Sequence, residues 1–170
     1  MKLFHMAAIL SLSILVSSCA VIDVDYDYDA GFDFSNLSRY SWLEIPVDFP
    51  VDDYSIQRVK TAVNQQMKEK GYSLTTGPSD FLLSLQGHKD TVRQSPQSTS
   101  VSPVTGQRFA SEQFQQGTFT LTIIDMKTDR RIWQGHAKGL SGPNLSTEDR
   151  VKKTNEAVAK LLSNFPPNNN

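Results

Sequence analysis

The first ordered signal along the chain is an alternation. Ile22, Val24, Tyr26 and Tyr28 take turns with Asp23, Asp25, Asp27 and Asp29. A period of two puts the apolar side chains on one side of an extended chain and the carboxylates on the other, which predicts a half-buried strand. Ala30 and Gly31 break it. Leu37, Tyr40 and Trp42 mark a second short strand near 38–44, followed by a loop with Pro46 and Pro50. From Tyr54 to Lys70 the spacing becomes helical: Ile56, Val59, Val63 and Met67 form one stripe with Ala62 beside it. Asp52 and Asp53 stand where a helix starts, Lys68 and Lys70 suit its C-terminal end, and Gly71 stops it.

Tyr72 to Leu74 then reads as a short strand, Gly77-Pro78 as a turn, and residues 80–90 as a longer strand. Residues 91–116 are rich in Ser and Gln, contain Pro96 and Pro103, and show no period, so a mobile excursion between two strands is expected. The clearest hairpin follows. Phe119, Leu121 and Ile123 alternate with threonines, residues 126–129 turn, and Ile132-Trp133 begin the return. Ser146 and Asp149 form a capping box with Asp in place of Glu. The helix after it, 147–164, carries Val151, Val158, Leu161, Leu162 and Phe165 on one stripe, and Pro166-Pro167 end it. Strands that alternate face water on one side, and two amphipathic helices can cover the other. The expected fold class is therefore α+β: a two-layer sandwich, a mostly antiparallel sheet with both helices on one face.

The start of the chain behaves differently. Residues 1–18 hold one charge, Lys2, and then an apolar run of 14 residues from Leu3 to Val16. A bilayer span needs about 20 residues; a short positive start, an apolar stretch and small residues describe a secretory signal. Cys19, the single cysteine, follows directly. Val16-Ser17-Ser18-Cys19 resembles the bacterial lipobox, with Val where Leu is commoner. That resemblance implies cleavage between Ser18 and Cys19, a thioether-linked diacylglycerol on the Cys19 sulfur, and acylation of the new amine. Two or three acyl chains, each buried CH₂ contributing about 0.8 kcal/mol, make a stable anchor where one chain is marginal. Ala20 follows the cysteine, and not the Asp that retains lipoproteins in the inner membrane of enteric bacteria. The expected location is the cell envelope, anchored by lipid in the outer membrane with the domain in the periplasm.

This divides the chain into a signal peptide, 1–18, a lipidated cysteine with a short tether, 19–22, one domain, 23–167, and a tail, 168–170. Within the domain, "DVDYDYDAGFDFSNLSRYSWL", "KGYSL", "SDFLLSL", "GTFTLTIIDMKTDRRIWQGHAKG" and the closing "NFPP" resemble, in order and spacing, the DUF4136 lipoproteins. The family takes its name from a domain of unknown function, so the resemblance implies an envelope location and a fold but no activity. In relatives the middle segment is often aromatic and Gly-rich; here 91–116 holds only Phe109 and Phe114.

Charge and chemistry narrow the function. Loss of the signal with Lys2 moves the formal charge from −1 to about −2, which is no footprint for nucleic acid. One cysteine allows no internal disulfide and disfavours a cysteine zinc site. No cofactor motif appears. Asp25, Asp27, Asp29 and Gly31 come near a calcium loop, but Gly31 is one position late and no Glu closes it. His88 and His136 could share a metal if they lay on neighbouring strands. Arg130-Arg131 at the hairpin turn suits solvent better than an anion, and Trp42 and Trp133 suit the core. The expected role is a non-enzymatic module that binds an envelope protein or the cell wall. The alternative is a lipid- or small-molecule-binding auxiliary of an envelope transport or assembly system, which a pocket between helices and sheet would favour. A hydrolase would need His88, His136 and carboxylates gathered in one cleft.

Overall fold

The structure is a computed structural model that describes residues 22–45, 51–93, 113–141 and 145–167, with backbone only at 89–93, 113–116, 140 and 141. Among them, β1 (Asp23–Tyr28), β2 (Arg39–Trp42), α1 (Asp53–Glu69), β3 (Ser73–Leu74), β4 (Phe81–Arg93), β5 (Gln113–Asp125), β6 (Arg130–Ser141) and α2 (Thr147–Leu162) follow in that order, with a short 3₁₀ turn at Phe34–Asn36. The strands form one sheet in the order β1-β6-β5-β4-β2-β3. Its long centre, β6-β5-β4, and its β1 edge are antiparallel, while β2 runs parallel to both β4 and β3. The α+β sandwich with a mostly antiparallel sheet is thus the observed fold.

Register puts one row of apolar residues on the inner face. Tyr40 pairs with Phe81, Leu83 with Ile123, Ile123 with Trp133, and Trp133 with Tyr28. These side chains join Ala62, Val63 and Met67 of α1 and Val158, Leu161 and Leu162 of α2 in a single buried cluster. Phe165, just past α2, is the plug: it meets Phe34, Tyr72, Phe81 and Trp133 at ring-centroid distances of 6.0, 5.5, 6.4 and 5.6 Å. Such edge and tilted contacts add about 0.5–1.5 kcal/mol each beyond burial. The outer face is polar: Gln134 donates to Thr122 Oγ1 at 3.0 Å, and His136 Nδ1 lies 2.8 Å from Thr120 Oγ1.

Caps and turns follow local chemistry. Asp52 accepts from the Ser55 N–H at 2.9 Å and starts α1; Ser146 accepts from the Asp149 N–H at 3.1 Å and starts α2. The β5–β6 turn occupies residues 126–129 as expected, with Asp125 accepting from Thr128 N–H and hydroxyl. Asp80 ties the parallel crossover, accepting from the backbone of Ser38 and Arg39 at 3.1 and 2.7 Å.

Two expectations change, and one local irregularity was not anticipated. The strands reach further into the 91–116 segment than its polar sequence suggests. β4 continues to Arg93 and β5 begins at Gln113, because each backbone satisfies the other's hydrogen bonds whatever the side chains. The rest of that segment lies outside the described residues. A bulge near Ile123–Ile124 leaves Ile132 as an extra residue, so Ile132 and Trp133 are both buried and the alternation fails there. In α2, Val151 is 39 % exposed and is not part of the core stripe.

Candidate functional site

The inner face changes character along the strands. Toward one end its large residues give way to small ones: Gly87 on β4, Gly117 on β5, Ala137 and Gly139 on β6. A Cβ on Gly117 or Gly139 would meet no heavy atom within 4 Å. The layers therefore stand apart without filling the gap, and a cleft of about 680 Å³ opens there. Leu85 and Phe119 give it an apolar floor, Ile56 and Val59 of α1 one wall, and Ala157 of α2 the other. That volume sits within the roughly 300–1,000 Å³ of small-molecule sites, which are concave and mostly apolar with a few polar groups. Ile22, just before β1, also lines it, and Lys160 of α2 donates to the Ile22 carbonyl.

The charged groups on the cleft are mostly cations. Arg58, Lys138, Arg150 and Lys153 line it, against one carboxylate, Asp52. Arg58 Nη2 donates to Ser55 Oγ at 2.9 Å and Arg150 Nε to the Leu145 carbonyl at 3.2 Å. Both guanidiniums are half-buried and oriented by neutral partners, and among the described residues no carboxylate pairs with either. Asp52 is engaged with Ser55 through both oxygens, at 2.9 Å each. Carboxylates at the first turns, Asp52 and Asp53 of α1 and Glu148 and Asp149 of α2, offset the positive ends of the two helices. The cationic character of the cleft thus comes from its side chains. An apolar hollow with cations at its margin can hold a molecule with a greasy body and an acidic end.

Of the residues singled out by sequence, Ser18 and Cys19 lie outside the described residues. His88 and His136 are not on neighbouring strands: β5 separates them, His88 pairing with Thr118 and His136 with Thr120. The neighbouring-strand arrangement is therefore absent, and among the described residues no group of three His, Cys, Asp or Glu side chains is placed to hold a metal ion. Asp25 and Asp27 sit on the β1 edge, and Asp29 closes the turn after it, accepting from Gly31 N–H at 3.0 Å and pairing with Arg130 at 3.1 Å. Arg131 donates to Gln134. Trp133 is fully buried; Trp42 is half-buried, donates to Asn64 Oδ1 at 2.9 Å, and lies under Lys60 at 4.9 Å. His88 lines the cleft, and Ile56, Val59 and Phe119 enter it from the predicted apolar stripes, but Arg58, Arg150 and Lys153 were not singled out by sequence. The signal of the cleft was glycine inside strands, at 87, 117 and 139, which often marks a site of close approach by another molecule.

The family described as "Domain of unknown function (DUF4136)" matches residues 24–167. No curated protein sequence matches the chain significantly. Among solved structures, a PDZ domain protein from Parabacteroides distasonis is similar at TM-score 0.62 and 14% identity; the match covers 96% of this chain and 40% of that one. This chain therefore spans about two fifths of that protein. The PelC dodecamer from Paraburkholderia phytofirmans is similar at TM-score 0.51 and 13% identity, over 83% of this chain and 96% of that one. At such identities the likeness is one of fold. Among the described residues no helix is long and apolar enough to cross a membrane.

Proposed function

The chain belongs to the DUF4136 family, and from that premise we propose that it is a bacterial envelope lipoprotein, anchored through Cys19 in the outer membrane, whose domain is a non-enzymatic binding module facing the periplasm. The observation that carries this reading is the position of the cleft. Ile22 lines it, three residues after the lipobox cysteine. At about 3.3 Å per extended residue, the cleft mouth would lie within ~10 Å of the residue that bears the lipid. Of the two occupants considered, the cleft favours a small molecule or lipid over a protein or cell-wall partner on the sheet edge.

The test is acyl labelling in growing cells with an alkyne-tagged fatty acid, followed by membrane fractionation. The parent chain is expected to carry the label and sediment with outer membranes. Cys19→Ala should lose the label and leave the outer-membrane fraction. A variant that keeps both would refute the anchor.

A further inference from the structure

We propose that the cleft binds one anionic amphiphile, its hydrocarbon chain lying on the glycine-floored end of the sheet and its acidic head held by Arg58, Arg150 and Lys153. The inference deepens the binding-module reading and takes from it only the nearness of a membrane.

Three observations converge. The hollow is apolar where it is deep, at Leu85, Phe119 and Ala137, and its floor includes Gly117 and Gly139, above which space is open for a chain. A hydrocarbon gains there with each CH₂ removed from water. The cations come from both helices: Arg58 from α1, Arg150 and Lys153 from α2. Among the described residues Arg39 and Arg130 pair with Asp80 and Asp29. Here the described carboxylates leave Arg58 and Arg150 unpaired, although both are half-buried. A guanidinium held in part away from water gains most from an acidic oxygen, since charge-assisted hydrogen bonds are about twice as strong as neutral ones. Third, the helix side that faces the cleft at this end is largely polar: Thr147, Arg150, Lys153 and Thr154 of α2 line it, with Ala157. A carboxylate and a phosphate monoester would suit this head site equally, so a fatty acid and a lysophospholipid are the two sources of the same chemistry.

Every side chain of the buried cluster lies at or beyond Val24, so a chain of residues 20–170 carries the whole described core and brings no acyl group of its own. Dansyl-labelled undecanoic acid is titrated into it, with the methyl ester of the same probe alongside. The acid is expected to saturate at one per chain with a blue shift, and to bind about tenfold tighter than the ester. Arg150→Gln combined with Lys153→Gln should weaken the acid about tenfold, leave the ester within about twofold, and flatten the salt dependence of the acid. Gly139→Leu, which fills the floor, should abolish binding of both while the thermal midpoint holds; should it lower the midpoint, Gly117→Leu serves in its place. Displacement by palmitate identifies a carboxylate head and displacement by lysophosphatidate a phosphate head. Failure of both to displace, equal affinity for acid and ester, or unchanged binding in the glycine variant would overturn the proposal. None of these results bears on acylation of Cys19, which the fractionation experiment decides separately.

Discussion

Gly135 and Gly139 stand four residues apart on the same strand and the same face, and they are glycine for opposite reasons. At Gly135 a Cβ would fall 2.6 Å from Leu161 Cδ1 and closer still to the Trp133 ring, which lies across it. At Gly139 a Cβ would meet nothing within 4 Å. One glycine lets two layers close; the other keeps them open. At the closed end aromatic rings stack in sequence, Tyr28 on Tyr26 at 6.4 Å and Tyr26 on Trp133 at 6.5 Å, with Phe165 beneath. Among the described residues no acceptor meets the buried Trp133 indole N–H. Among the described residues the open end has no comparable plug. The lesson is that one interlayer space has two characters: the aromatic end holds the domain together, and the glycine end leaves a cleft.

The largest effect that could break this comparison is loss of the plug. Phe165→Ala should cost about 3–5 kcal/mol in urea unfolding, as full burial and four ring neighbours imply. Phe119→Ala, on the cleft floor, should stay within about 0.5–3 kcal/mol, because part of its surface already faces an empty space. Equal losses would mean that the cleft end is as tightly packed as the other. Next comes the glycine pair. Gly135→Ala should destabilise by about 1–3 kcal/mol through overpacking against Trp133 and Leu161. Gly139→Ala should instead stabilise by about 0.4–1 kcal/mol, because alanine restricts the unfolded chain and fits the open site. Destabilisation by both would remove the distinction.

A further effect is set by pH. Burial pushes the Tyr40 hydroxyl up to about 12 from its ordinary value of 10, and also raises Tyr72. The folded state therefore keeps protons that the unfolded chain releases above pH 10. Stability is complete below about pH 10 and falls as pH rises toward 12. Tyr40→Phe should flatten that alkaline fall. At neutral pH it should lose only the 3.0 Å hydrogen bond to Asn64 Oδ1, about 0.5–1.5 kcal/mol. Urea midpoints at pH 7 and 11 decide it, and a fall just as steep in the variant would acquit Tyr40.

Much of this fold was legible as local pattern. The alternation at 23–28, the α1 stripe of Ile56, Val59, Val63 and Met67, the Ser146 cap and the turn at 126–129 all follow from chemistry within a few residues. What was not legible depends on partners far along the chain. The bulge that buries Ile132 beside Trp133 exists because β5 sets the spacing opposite it. The separation of His88 from His136 is a matter of strand order. Val151 fits the helical period of α2 yet is exposed, since period alone does not say how far along the helix the core extends.

The sequence by itself determined where most strands and helices form and which face of each is apolar, and it holds the single thiol, Cys19, in a stretch that resembles a lipobox. Those properties rest on backbone geometry and on side chains two to four positions apart. Only the tertiary structure decided which strands are neighbours, and with them what each glycine means. A missing Cβ is the same atom absent in every case; whether Trp133 and Leu161 fill its place, or a cleft rimmed by arginine and lysine lies over it, depends on what the fold brings across from the other layer.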